Sequence, residues 1–290
     1  MPHAANLTNH NADNYHTNAS FVFSAANTAP VLGLLQAKEG EKIIDLGCGT
    51  GELTKGLKEV VGEKGVVVGV DSSHDMLDKA ASQSPSSIPY IQADIQNASA
   101  FAAAHPEYHH AFDAVFTSAT LHWCKDSPEG VIELVRWLLR PGGRFAFEFG
   151  GFGNVCGIRA ALHHAVRARG IDPIPLDPWY FPTPRQYESV LKAADFTPSN
   201  VHLAPRPTPL PTSLEGWLTT FARSSFLSSF SDTDAATIMQ EVAEIARVDN
   251  YWSVENPGMG VKGQEGQEAQ EEGWEVMYVR LRGVAFAPSA

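Results

Sequence analysis

The chain is poor in cysteine, in basic side chains and in long apolar runs. Its three cysteines, Cys48, Cys124 and Cys156, are scattered through 290 residues, odd in number and without metal-ligand spacing. Neither a disulfide framework nor a zinc site fits that pattern, and no metal is expected. Lys and Arg total 21 against 33 Asp and Glu, a formal net charge of −12. Such a balance builds no positive field for a phosphate backbone, so no nucleic-acid partner is expected. No run reaches membrane-spanning length, and the opening MPHAANLTNHNADNYHTNAS lacks the basic and apolar blocks of a signal peptide. A cytoplasmic protein with no membrane partner is the expectation.

What is present is rhythm. From Lys42 to Phe149 apolar runs alternate with helical patterns, which predicts an α/β fold with a parallel sheet covered on both faces. The strand candidates are KIIDLG, GVVVGVD, IPYIQAD, AFDAVFTS and GRFAFEF. The helix candidates between them carry apolar residues three to four apart. After Phe149 the rhythm breaks. VCGIRAALHHAVRARG, TSLEGWLTTFARSSF and DTDAATIMQEVAEIARV read as helices, the proline-rich IDPIPLDPWYFPTP as an ordered loop, and PRQYESVLKAADF as a helix returning to the sheet. EVMYVRLRGVAFA alternates residue by residue and predicts a final antiparallel strand.

These patterns divide the chain into an N-terminal lid or helical segment (1–40), a core (41–150), and a helical cap insertion with a returning helix and strand (151–253). A Glu- and Gly-rich loop (254–273), too polar to repay ordering, and the last strand (274–290) follow.

The stretch IIDLGCGTGELT places glycines at 47, 49 and 51 between a strand and a helix. The dinucleotide fingerprint wants its third glycine at 52, which is Glu52, and no Lys followed by Ser or Thr marks a P-loop. The bend therefore suits a ligand that needs bare backbone nearby but carries no pyrophosphate. Asp71 ends the second strand, where a carboxylate can accept both hydroxyl protons of a ribose. Asp94 ends the third, where it can accept from an adenine amino group.

DLGCGTG, VDSSHDML, QADI, FDAVFTSATLHW and LRPGGRFAFEF, in this order, resemble the successive motifs of the class I S-adenosylmethionine-dependent methyltransferases. The resemblance implies a Rossmann-like, seven-stranded, mostly parallel sheet, S-adenosyl-L-methionine as cofactor and S-adenosyl-L-homocysteine as product. It places Asp45, Gly47, Cys48, Gly49 and Gly51 along the methionine part, with Asp71 and Ser72 at the ribose. Met76 would pack on adenine through its thioether, flanked by Asp94 and Ile95, and Ser118 and Ala119 would lie under the sulfonium.

YHTNASFVFSAANTAPVLGLL, TSATLHW, EFGGFGNV, PWYFPTPRQYESVLKAADF and YVRLR are similar to the trans-aconitate methyltransferase-like branch, which implies an oxygen of a small carboxylic acid or hydroxylated metabolite as acceptor. Tyr15, His122 and Tyr180 are the candidate catalytic groups. Trp123, Trp179 and Trp217 are candidates for the acceptor pocket, with Arg159 or Arg223 to pair a carboxylate. Core packing is the competing reading of Trp217, and sheet capping that of His122 and Trp123. Methylation of nitrogen or carbon in a specialised metabolite, and a non-catalytic S-adenosylmethionine-binding regulator, are the alternative functions. The protein is expected to work as a monomer or homodimer on a small molecule.

Overall fold

Ile43, Ile44 and Leu46 are fully buried in β1 (Lys42–Leu46), and Val67, Val68 and Val70 in β2 (Val66–Asp71). Runs apolar on both sides belong in the middle of a sheet with two covered faces. The computed structural model describes residues 17–18, 24–254 and 272–289. Its main sheet adds β3 (Tyr90–Gln92), β4 (Phe112–Ser118), β5 (Leu139–Gly150), β6 (Thr197–Pro209) and β8 (Glu272–Phe286), in the order β3-β2-β1-β4-β5-β8-β6. A short β7 (Tyr251–Ser253) pairs with the start of β8. The pairs from β3 through β5 are parallel, and β8 runs antiparallel between β5 and β6. This is the Rossmann-like seven-stranded sheet expected from the chain.

One face is covered by α1 (Ala25–Leu35) and α2 (Glu52–Val61), whose Val31, Leu35, Leu57 and Val61 pack on Ile43, Val67, Ala114 and Phe116. The other carries α4 (Ala98–Ala104), α5 (Pro128–Leu138) and α7 (Pro184–Ala193), whose Phe101, Val135 and Tyr187 share one apolar cluster with the phenylalanines of β5, Tyr187 lying edge-on to Phe147 and Phe149. Between β2 and β3 runs α3 (His74–Gln83), capped by Ser73. Three further helices, α6 (Cys156–Ala168), α8 (Leu214–Phe221) and α9 (Asp232–Asn250), form a second apolar cluster with Trp179, Val276 and Tyr278.

The returning strand β6 contains Pro198, Pro205, Pro207 and Pro209, so no residue-by-residue pattern announces it. Its place in the sheet explains the composition: β6 pairs only with β8, and a proline lacks the N–H that an edge strand need not use on its open side. A one-residue bulge between Ser199 and His202 brings Pro198 into phase with the other three.

Among the described residues no helix is long and apolar enough to cross a membrane. Of the N-terminal segment 1–40, residues 1–16 and 19–23 lie outside the described residues, as does nearly all of the Glu- and Gly-rich loop. The Asn18 side chain exchanges 3.0 Å hydrogen bonds with Thr220 of α8 and with Thr212.

Candidate active site

At the carboxyl ends of β1, β2 and β4 the chain direction of the connections reverses, and a cleft opens there. The glycine bend forms one wall. Gly47 and Cys48 both donate their N–H to the Val70 carbonyl, at 2.7 and 3.0 Å, which pins the bend to β2. Gly47 sits at φ +77°, and a Cβ there would fall 2.1 Å from Thr120 Cγ2. Gly49, at φ +53°, has open space where a Cβ would be. The bend is thus packed on one side and bare on the other.

Asp71 turns its carboxylate back on this bend. Oδ2 accepts from the Gly49 N–H and Oδ1 from the Ser73 N–H, both at 2.9 Å. The same carboxylate keeps lone pairs for further donors. Asp94 Oδ1 accepts from the Gln96 N–H at 2.9 Å, and Oδ2 has no partner among the described residues. Asp45 is buried, with Oδ2 accepting from the Thr54 hydroxyl at 2.7 Å. Burial, helped by the Asp71 charge, pushes its carboxyl up to about 7 against the pull of that hydrogen bond.

This shift carries a sign. The unfolded group titrates near 3.8, so between about 4 and about 7 the folded protein binds the extra proton, and stability falls as pH rises through that window. Asp45→Asn keeps the oxygen that accepts from Thr54 and loses the charge. Its apo form is expected to melt a few degrees above wild type at pH 8 and to show a flatter pH profile, as read by scanning fluorimetry. A profile as steep as that of wild type would contradict the assignment.

The residues singled out in the sequence distribute unevenly. Asp45, Gly47, Cys48 and Gly49 line the cleft, as do Asp71, Ser72 and Met76 from the second strand and its helix. Asp94, Ile95, Ser118 and Ala119 complete the set. Gly51 does not line it: at φ +86° it caps α2, and a Cβ there would meet the Tyr90 hydroxyl at 2.6 Å, so its bareness serves helix packing. Burial raises the thiols of Cys48 and Cys124 and keeps both neutral. Thr120 and Gln96 were missed by motif reading, because each acts through tertiary contacts: Thr120 Oγ1 reaches the Gly47 carbonyl, and Gln96 Oε1 accepts from the Ser127 N–H.

A second, smaller cavity shares Ala119 and Trp123 with the first. Ala119 holds the junction in a left-handed conformation, φ +57°, with its N–H donating to the Glu148 carbonyl at 2.7 Å. Trp179, Trp217, Phe181 and Phe221 supply aromatic walls. The Trp217 indole N–H donates to the Tyr278 hydroxyl at 2.6 Å, so Trp217 both packs and lines. Among the polar residues, His122, Asn154 and Arg280 complete the wall.

His122 was expected as a catalytic group, and its hydrogen bond sets its tautomer. Nδ1 accepts the Gly150 N–H at 3.3 Å, which engages that nitrogen and places the ring proton on Nε2 in the neutral form. Tyr180 lines neither cavity. It stacks on Phe149, and burial pushes its phenol up to about 12. Tyr15 lies outside the described residues.

Arg159 and Arg223 are committed elsewhere. Arg159 Nε is 2.6 Å from Asp177 Oδ2, which His163 Nε2 also approaches at 2.9 Å, and the pair locks the proline-rich loop onto α6. Arg223 is held by Asp232 and by the carbonyls of Leu227 and Phe230, closing the turn between α8 and α9. Neither lines either cavity.

Among the described residues the first cleft has three carboxylates on its wall, Asp45, Asp71 and Asp94, and no basic side chain. That charge repels a pyrophosphate and suits a ligand with positive charge, a ribose and an amino-purine. Fold and site together define a Rossmann-like methyltransferase. Residues 44–147 match the family model described as "Methyltransferase domain". An uncharacterized methyltransferase of Schizosaccharomyces pombe is 32% identical over 218 residues, 73% of this chain and 80% of that protein. Trans-aconitate 2-methyltransferase of Deinococcus radiodurans is 34% identical over 48% of each chain. In fold alone, the solved structure of a candidate methyltransferase from Bacillus halodurans superposes with a TM-score of 0.58 at 14% identity, over 91% of this chain and 100% of that one. The chain belongs to the class I S-adenosylmethionine-dependent methyltransferases.

Proposed function

We propose that the protein methylates a carboxylate oxygen of a small organic acid, giving a methyl ester. S-adenosylmethionine supplies the methyl group as a sulfonium and leaves as S-adenosylhomocysteine. Asp71 would hold the ribose hydroxyls, Asp94 Oδ2 the adenine amino group, and Met76 the purine face. Ala119, shared by both cavities, would stand between donor and acceptor.

The observation that carries the acceptor class is the make-up of the second cavity. Among the described residues on its wall there is no carboxylate, the His122 ring has Nδ1 occupied, and burial raises the phenol of Tyr278. Among the described lining residues, then, none brings a carboxylate or an unengaged imidazole Nδ1 to take a proton at neutral pH. A phenol, alcohol or ammonium acceptor has to lose one, whereas a carboxylic acid is already ionised and offers its lone pair directly. What the protein contributes is alignment and exclusion of water: the four aromatic walls keep the cavity dry, and the tight Ala119 junction fixes the approach. The partial match to trans-aconitate 2-methyltransferase agrees with an acid as acceptor.

The test is transfer of a labelled methyl group to a panel of short mono-, di- and tricarboxylic acids, phenols and amines. Label in an acid product released by mild alkali is the expected result. Alkali-stable label supports a nitrogen or carbon acceptor. Tight cofactor binding with no transfer across the panel supports a non-catalytic binding protein.

A further inference from the structure

Arg280 and Arg282 alternate with Leu281 on β8, on the face that also carries Tyr278. Strand register sets Glu148 of β5 opposite Arg282, and Arg206 of β6 opposite Tyr278. Residues directly opposite share a face, so three guanidiniums and one carboxylate meet on one side of the sheet. Glu148, only 3% exposed, is shared by two of them. Its Oε1 accepts from Arg206 at 3.0 Å, and its Oε2 lies 2.9 Å from Arg282 Nε. Neither oxygen is hydrogen-bonded to the third, Arg280.

Arg280 is 3% exposed and makes neither a hydrogen bond nor an ion pair with any described residue. Its one close partner is the face of Tyr278, 4.5 Å from ring centroid to guanidinium carbon. Its charge is felt next door, where burial and then Arg280 push the Arg206 guanidinium down to about 10. A buried charge without a counter-ion is costly to a fold. This one lines the second cavity beside Asn154, whose Oδ1 accepts the Val279 N–H at 2.9 Å and whose Nδ2 has no acceptor among the described residues. Two unmatched donors, one of them cationic, face a space whose other walls are mostly aromatic.

We propose that Arg280 is the specificity-determining residue of the acceptor cavity, binding an anionic group of the acceptor other than the oxygen that receives the methyl group. This rests on the reading that the second cavity takes the acceptor. The group held by Arg280 is not the reacting one, because a guanidinium on the attacking carboxylate would draw density from the lone pair that must form the bond. The preferred acceptor then carries at least two anionic groups, one anchored at β8 and one presented past Ala119. Glu148, by engaging Arg206 and Arg282, leaves Arg280 uncompensated until such a group arrives.

The experiment uses the full chain saturated with S-adenosylhomocysteine, with quenching of tryptophan fluorescence as the readout, since Trp123, Trp179 and Trp217 all line the cavity. The probes are glutarate and tricarballylate against butyrate at constant ionic strength, on wild type, Arg280→Met and Arg280→Lys. Wild type is expected to bind the di- and triacid at least tenfold tighter than butyrate. Arg280→Met is expected to lose that ratio, Arg280→Lys to keep part of it, and both to bind S-adenosylhomocysteine within twofold of wild type. Without ligand, Arg280→Met is expected to melt above wild type, because an uncompensated charge has gone. A purely structural arginine would give the opposite shift.

Absence of a di-acid preference in wild type overturns the proposal. So does the same preference in Arg280→Met, or a fall in its melting temperature. The methyl-ester reading fails separately. Arg280-dependent binding of the acids without alkali-labile product would reject the ester and keep the anchor, and ester formed equally well by Arg280→Met would do the reverse.

Discussion

Gly47→Ala is expected to unfold or empty the cofactor cleft. The added Cβ would fall 2.1 Å from Thr120 Cγ2, 2.2 Å from Oγ1 and 2.5 Å from Cβ, and φ +77° penalises any L side chain. The left-handed backbone alone costs about 1–2 kcal/mol. Overpacking against a wedged threonine adds roughly 1–3 kcal/mol, because Thr120 cannot withdraw while its hydroxyl reaches the Gly47 and Ser118 carbonyls. Melting temperature should drop by several degrees, and S-adenosylhomocysteine affinity by calorimetry should fall about a hundredfold as the bend lifts off the Val70 carbonyl. Pairing the change with Thr120→Gly removes the clash and leaves the backbone cost. The double variant is therefore expected to recover more than half of the lost stability. If it recovers none, the two residues are not in contact as described.

Asp71→Ala is expected to weaken cofactor binding by about tenfold to a hundredfold, since hydrogen bonds to a charged carboxylate contribute roughly 1.5–3 kcal/mol. Two causes act together. The ribose hydroxyls lose their acceptor, and the Gly49 and Ser73 N–H groups lose the carboxylate that holds the bend against the second strand. Asp71→Asn separates them: its one amide oxygen can still hold a backbone N–H, so the apo melting temperature should return toward wild type while affinity stays low. Asp94→Ala should cost less, because Oδ1 is spent on the local turn at Gln96 and only Oδ2 faces outward work. Undiminished affinity in Asp71→Ala would remove this residue from the site.

Much of this was legible in the chain. The strands β1, β2, β4 and β5 announce themselves because a strand covered on both faces must be largely apolar, and Asp71, which ends β2, and Asp94, two residues past β3, stand out as acids at the ends of such runs. The glycine bend was legible for the same local reason. The acceptor side was not. Arg159 and Arg223 look in sequence like anchors for a carboxylate, yet Asp177 of the proline-rich loop and Asp232 at the start of α9 engage them, and the position of both acids depends on how α6, α8 and α9 pack. Arg280 carried a faint signal. It shares its alternation with Val276 and Tyr278 on an inward face, where a charged side chain is out of place unless it has a partner to meet.

The chain's own pattern determined the sheet, the helices on its faces, the bare bend and the two acids proposed to read an adenosyl group, all from periodicities and strand ends that span a few residues. Tertiary structure alone decided which cations are free. Glu148, Arg206 and Arg282 come from three strands, Glu148 lying about 60 and 130 residues from the other two, and only their register on one face of the sheet leaves Arg280 without a counter-charge among the described residues. Charge pairing depends on distances of a few ångströms, which the order of residues along a chain does not encode until the strands are laid side by side.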